Sequence, residues 1–265
     1  MRYFVPAFAV LVVAMTANGE VRMETVEYKL GDTVMIGYAA WDDAIQGQRP
    51  GVLVVHEWYG LNDYAKSRAR QLAQLGYVAF AVDMYGNGVT AKDAAEAGKL
   101  ATALRSDRPL MRARAQAALD TLRKNAFCDP KRVAAIGYCF GGGVVLELAR
   151  SGADVAGVAS FHGNLDTPNP EDAKNIRAKV LVLHGANDPH VNAEQVANFQ
   201  KEMRATQVDW QMVSYGGAVH SFTNPASGDD PSKGVAYNAA ADRRSWQAMK
   251  DFFAEIFAPA DGKKP

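Results

Sequence analysis

Apolar residues along this chain fall in short unbroken runs, separated by segments with helical spacing. Gly51-Val52-Leu53-Val54-Val55 is one such run, and Tyr77–Val82, Arg132–Tyr138, Val155–Phe161, Lys179–His184 and Val208–Tyr215 follow it. A run that is apolar at consecutive positions suits a strand covered on both faces, as in a parallel sheet. The segments between read as helices. Ala65, Ala69, Leu72 and Ala73 form one stripe, with Asn62 or Asp63 able to cap its start and Gly76 to stop it. Residues 91–126 read as mostly helix, broken near Pro109, whose ring and missing N–H interrupt a helical ladder. Phe140–Arg150, Asn192–Thr206 and a last segment from Asn238 to Phe257 complete the helices. Ahead of this pattern, strands Thr25–Leu30 and Thr33–Ala39 flank Gly31-Asp32, and glycine first in a two-residue loop predicts a type II′ hairpin. Strands alternating with helices predict an α/β fold: a mostly parallel central sheet, helices on both faces, and an N-terminal antiparallel hairpin. We read residues 20–257 as one domain and 258–265 as a flexible tail. In such sheets ligands bind beyond the carboxyl ends of the strands, so the residues just after each strand are the candidates.

Charge narrows the function. Lys plus Arg and Asp plus Glu are each 29, so the chain lacks the basic excess of a nucleic-acid binder or a polybasic membrane-surface protein. With 2 cysteines and no C-x-x-C, a thiolate zinc cluster is excluded, and no paired histidines have metal-ligand spacing. The extreme N-terminus differs from the rest. Met1-Arg2 precedes an apolar run from Tyr3 to Ala14 and then small residues, the layout of a secretory signal over residues 1–19. It is shorter than the ~20 residues a transmembrane helix needs. The expected mature protein is periplasmic or secreted, without stable membrane association.

The strand ends carry the chemistry. Gly137-Tyr138-Cys139-Phe140-Gly141 joins an apolar strand to a helix, which is the G-x-S-x-G nucleophile elbow with cysteine at its centre. The turn is so tight that side chains two residues either side of the nucleophile would clash. The amides opening the next helix favour negative charge at Cys139. Asp188 follows the strand ending at His184, and His220 follows the strand ending at Tyr215. Nucleophile, acid and base therefore occur in the elbow-enzyme order, each at a strand end. Glu57 directly follows another apolar strand, where partial desolvation would raise its affinity for protons. His56 and His184 read as packing residues, His162 as a possible pocket wall, and His190 as a surface loop residue.

Val54–Leu61, Asp83-Met84-Tyr85-Gly86, Gly137–Gly143, Leu183–Asp188 and Gly217–Phe222 resemble the dienelactone hydrolase family, of the α/β-hydrolase fold. That resemblance implies Cys139 as nucleophile, His220 as base and Asp188 as its orienter. It implies that Glu57 contacts the resting thiol, that the Phe140 and Trp58 amides form the oxyanion hole, and that no cofactor is used. Tyr59, Tyr85, Phe222, Asn87 and Asn224 are then candidates for the substrate pocket, with Trp58 sharing its aromatic wall. In the family two arginines hold a substrate carboxylate; here Asn87 and Asn224 stand in their places, which leads us to expect uncharged esters or lactones, unless Lys233 or an arginine from the 105–114 segment replaces the clamp. The expected activity is hydrolysis of a small-molecule carboxylic ester, lactone or thioester through an acyl-cysteine. The alternative is a catalytically silent or redox-sensing binding protein on the same scaffold. Cys128 and Cys139 flank one strand, too far apart along it to be bridged.

Overall fold

The computed structural model describes residues 19–258. The expected signal segment (apart from Gly19) and the tail (apart from Ala258) lie outside the described residues. The elements are β1 (Val21–Leu30), β2 (Thr33–Asp42), β3 (Arg49–Val55), α1 (Asp63–Gln74), β4 (Val78–Val82), α2 (Ala94–Ser106), α3 (Arg108–Arg123), β5 (Cys128–Tyr138), α4 (Phe140–Arg150), β6 (Gly157–Phe161), β7 (Lys179–Gly185), α5 (Ala193–Arg204), β8 (Trp210–Tyr215) and α6 (Ala239–Ile256). They form one eight-stranded sheet in the order β1-β2-β4-β3-β5-β6-β7-β8. β1–β2 and β2–β4 are antiparallel, and the remaining neighbours are parallel. This is the α/β-hydrolase fold.

Each apolar run splits between two cores because successive strand residues face opposite ways. Leu53, Val55, Phe80, Val82, Val133, Ala135, Val180 and Val182 face α3, α4 and α5, meeting Leu119, Val144, Leu148 and Phe199. Val52, Val54, Ala79, Ala81, Ile136, Leu181 and Leu183 face α1 and α6, meeting Ala69, Leu72, Met249 and Phe253. All of these side chains are buried. Local sequence sets the element ends. Gly31 has φ +56°, as the first position of a II′ turn requires, and Asn62, Asn192 and Asn238 each cap a helix. The break near Pro109 falls at Asp107, which ends α2 and caps α3 through Leu110 N–H. β5 starts four residues before the apolar run suggests. There Cys128 and Asp129 pair with Arg49 and Pro50 across a bulge, and backbone pairing leaves no trace in hydropathy. β6 and β8 each start two residues later than their runs. Cys128 and Cys139 are both free and buried.

The fold fixes where a site can form. The chain runs from β3 outward to β4, then returns to β5 on the other side of β3. The carboxyl ends of β3 and β5 therefore flank the point where the winding reverses, and such a point opens a crevice.

Candidate active site

Cys139 sits between β5 and α4 with φ +53° and ψ −114°, a conformation that costs energy for a residue with a side chain. The glycines around it are sterically required. A Cβ at position 137 would lie 2.0 Å from the Gly141 carbonyl oxygen, and one at 141 would lie 2.4 Å from that of Val55. Phe140 opens α4, so its N–H has no acceptor within the helix.

The three expected chemical groups converge. His220 Nε2 lies 3.0 Å from Cys139 Sγ, and His220 Nδ1 lies 2.8 Å from Asp188 Oδ2. All three residues are buried, Cys139 at 8% exposure. Asp188 also accepts the His190 and Val191 amides through Oδ1, which fixes its rotamer against His220. Burial pushes the Asp188 carboxyl up, but the hydrogen bond and charge of His220 and the His190 amide hold it below the usual range. Burial likewise lowers the His220 pKa, yet negative charge on Cys139 and the hydrogen bonds to Asp188 and Cys139 outweigh it and raise it to about 10. The arrangement thus favours a protonated His220 beside the Cys139 sulfur.

Glu57 follows β3 and is buried, and its carboxyl is pushed up by desolvation, partly offset by hydrogen bonds from Ser221 and Asn224. Ser221 Oγ donates to Oε1 at 2.5 Å and Asn224 Nδ2 donates to Oε2 at 2.5 Å. Both oxygens are therefore engaged by the loop after His220, while Sγ is engaged by His220. Ser221 (φ +57°) and Asn224 take both carboxylate oxygens, and among the described residues no hydrogen bond joins Glu57 to the Cys139 thiol, although both border one cavity.

A cavity of about 600 Å³ opens over this centre, bordered by Glu57, Trp58, Tyr59, Cys139, His220 and Asn224 among others. Three candidates for the pocket wall are placed elsewhere. Asn87 is exposed, with φ +54° and its backbone N–H bonded to the Val34 carbonyl of β2, and it does not border this cavity. Phe222 is fully buried against His162 and Tyr215. Tyr85 is buried behind the wall, and its hydroxyl donates to the Trp58 carbonyl at 2.6 Å. The Asp83-Met84-Tyr85-Gly86 segment has a structural reason: the Asp83 carboxylate accepts the amides of Ile36, Tyr85, Gly86 and Gly88. Asn224 does border the cavity, but its amide holds Glu57 and its Oδ1 caps the turn at Ala226.

Sequence reasoning left the roles of several residues open. His190 is exposed, as expected, and it also borders the cavity, with its ring 5.0 Å from that of His220. Arg105 comes from α2, hydrogen-bonds to Asn164 Oδ1, and lies 5.9 Å from the Phe140 ring centre. The sequence offers it as one of the arginines of the 105–114 segment, and nothing local distinguishes it from its neighbours there. His56 is fully buried: its Nε2 accepts the Met84 amide at 3.2 Å, so its Nδ1–H donates to the Glu57 carbonyl. That carbonyl shares a peptide unit with the Trp58 N–H. His162 lies behind Cys139, away from the cavity wall.

A model of the dienelactone hydrolase family matches residues 35–257. The chain belongs to that family. Among solved structures it is similar to a dienelactone-hydrolase-like promiscuous phosphotriesterase from metagenomic libraries, with 46% identity, a TM-score of 0.86, and coverage of 90% of this chain and 99% of that one. A second structure, described as m3DLH, is 44% identical with a TM-score of 0.87 and the same coverage. A putative carboxymethylenebutenolidase of Aquifex aeolicus is 28% identical over 236 residues, covering 87% of this chain and 97% of the relative. In this dienelactone hydrolase family chain, Cys139, His220 and Asp188 form the Cys-His-Asp triad of an ester or lactone hydrolase. Among the described residues, no helix is long and apolar enough to cross a membrane.

Proposed function

We propose that the chain hydrolyses small esters or lactones by the following steps, carried by the contact of Cys139 Sγ with a base already oriented by Asp188. The Cys139 thiolate attacks the substrate carbonyl carbon. The carbonyl oxygen becomes an oxyanion held by the Phe140 and Trp58 N–H groups, the donor pair expected of an elbow site. The His220 imidazolium gives its proton to the departing alkoxide, leaving acyl-Cys139 and neutral His220. Neutral His220 then takes a proton from water, whose oxygen attacks the acyl carbon, and collapse releases the acid and restores the ion pair. His56 supports the second donor by fixing the peptide that carries the Trp58 N–H.

Arg105 revises the substrate expectation. Asn87 and Asn224 offer no cation, but Arg105 places one at the cavity, paired there with a neutral amide. We assign Arg105 to an anionic substituent of the substrate, a charge-assisted contact worth about 1.5–3 kcal/mol. The test is a matched pair of aryl esters, one with a free carboxylate and one with its methyl ester. Intact mass should show an acyl group on Cys139, and the free acid should have the higher kcat/KM, a preference abolished in Arg105→Gln. A wild-type preference for the methyl ester overturns the assignment; absence of any acyl adduct overturns the hydrolytic steps.

The phosphotriesterase relative supports a second activity, attack of the same thiolate on phosphorus in an aryl phosphotriester. Release of the aryl alcohol, lost in Cys139→Ala, tests it. We also propose that the basic–apolar N-terminus directs export, which cell fractionation and N-terminal sequencing of the mature chain would check.

A further inference from the structure

The mechanism above leaves the fully buried His162 without a task. His162 follows β6, is fully buried, and has φ +40°. Its Nδ1 accepts the Cys139 N–H at 3.1 Å, and its Nε2 lies 2.6 Å from Thr223 Oγ1. The first contact fixes the tautomer: an Nδ1 that accepts an amide is unprotonated, so the neutral ring carries its hydrogen on Nε2 and donates it to Thr223. Burial, with His220 and Arg68 nearby, pushes the His162 pKa well below the ordinary value, which keeps the ring neutral.

Each end of this bridge touches a different half of the triad. One end is the backbone of the strained nucleophile. Strained conformations persist only where surrounding contacts over-determine them, and the Cys139 N–H is shared between His162 and the Phe161 carbonyl. The other end is Thr223, three residues after the base and next to Asn224, which holds Glu57. Thr223 is itself anchored: Tyr64 hydroxyl meets its Oγ1 at 2.6 Å, and Arg68, paired with Asp242, donates to its carbonyl at 2.6 Å.

We propose that His162 is a positioning residue that locks the Cys139 elbow to the loop carrying His220, so that the Sγ–Nε2 distance is set before substrate arrives. The link runs from Cys139 amide through the imidazole to Thr223 and on to α1 and α6. Losing either hydrogen bond lets the elbow and the loop relax independently. Misplacement of a reacting pair by about 1 Å can cost about a hundredfold in rate. The cost belongs in kcat and in thiolate reactivity, since neither His162 nor Thr223 borders the cavity.

The inference rests on the thiolate–imidazolium reading of the triad, and the experiment separates the two. Thr223→Val removes the hydroxyl at nearly constant volume, and Thr223→Ser restores it. His162→Asn keeps an acceptor near Nδ1, while His162→Gln keeps a donor near Nε2. Three quantities are read on each purified variant: kcat and KM with an aryl ester, the rate of Cys139 alkylation by iodoacetamide, and the ultraviolet absorbance of the thiolate. Thr223→Val and both His162 variants should lose about tenfold to a hundredfold in kcat with KM within about twofold, and should alkylate more slowly. Thr223→Ser should recover most of the loss. A folded Thr223→Val that keeps wild-type kcat, alkylation rate and thiolate absorbance overturns the proposal. A wild type inactive on every ester, whose alkylation rate still falls in Thr223→Val, overturns the hydrolytic reading and leaves the positioning role standing.

Discussion

Replacing Gly141 by alanine tests how closely the two halves of the oxyanion site approach. The added Cβ would stand 2.4 Å from the Val55 carbonyl oxygen and 2.7 Å from that of His56. An ordinary contact is about 1 Å longer than the first of these, and both obstacles are backbone, which cannot rotate aside. The conflict is relieved only if α4 moves away from the end of β3. Phe140 leads α4, and Trp58 stands just past β3, so this movement separates the two donors proposed to hold the oxyanion. Overpacking of this kind costs about 1–3 kcal/mol of stability, and loss of one oxyanion donor costs roughly 10²–10³ in kcat. Gly143→Ala is the matched control, because its Cβ would lie 3.4 Å from the Asn164 carbonyl oxygen, a normal contact, within the same helix. That change should leave kcat near wild type and raise helix stability by up to about 1 kcal/mol. The assay is steady-state aryl ester hydrolysis on both variants, normalised to folded protein from urea unfolding. Equal kcat values for the two would refute the reasoning, since only one of them wedges the strand end from the helix.

Asp188→Asn should reduce kcat by roughly 10³–10⁴, because the amide no longer stabilises the imidazolium; stopped-flow acylation would check this, and a loss under tenfold would contradict the triad. Arg150 is 1% exposed and pairs with Glu202 at 2.7 Å and Glu147 at 3.0 Å, so Arg150→Met removes the cation facing buried Glu202 and leaves Glu147 with Arg112 alone, and should cost about 3–5 kcal/mol, read from the urea midpoint. Acid should destabilise the fold through its buried neutral histidines. Burial lowers the His56 pKa to about 4 and pushes His162 well below its ordinary value, so the folded state stays unprotonated where the unfolded state takes up protons. Their stabilisation is complete above the unfolded value of 6.5 and fades as pH falls through the folded values. Between those limits the slope approaches ~1.4 kcal/mol per pH unit for each histidine. Urea midpoints that stay flat from about pH 6.5 to about pH 5 would contradict this.

The sequence by itself determined the alternation of elements and the order of the chemical groups. Apolar runs too continuous for a half-exposed strand declared a sheet covered on both sides. Gly137 and Gly141 around Cys139 declared the elbow, because no other residue fits those positions, and the strand-end rule then located Asp188 and His220. Such signals are local: a turn that excludes side chains or a strand that must be buried constrains the residues that form it. The tertiary structure decided what surrounds those groups. Arg105 and Cys139 lie far apart in the chain, and only the packing of α2 against the crevice brings that arginine to the cavity. Asn87 occupies an arginine's place in the motif yet does not border the cavity, its backbone held at a positive φ and bonded to Val34 of β2. Glu57 was found from its place after β3, but which atoms it touches depended on Ser221 and Asn224, 164 and 167 residues away. His56, His162 and His190 each follow or neighbour a strand end in much the same way. One fixes a peptide unit, one braces the nucleophile and one borders the cavity, because side-chain direction and the partners within 3 Å or so are set by long-range packing, which hydropathy and spacing do not encode.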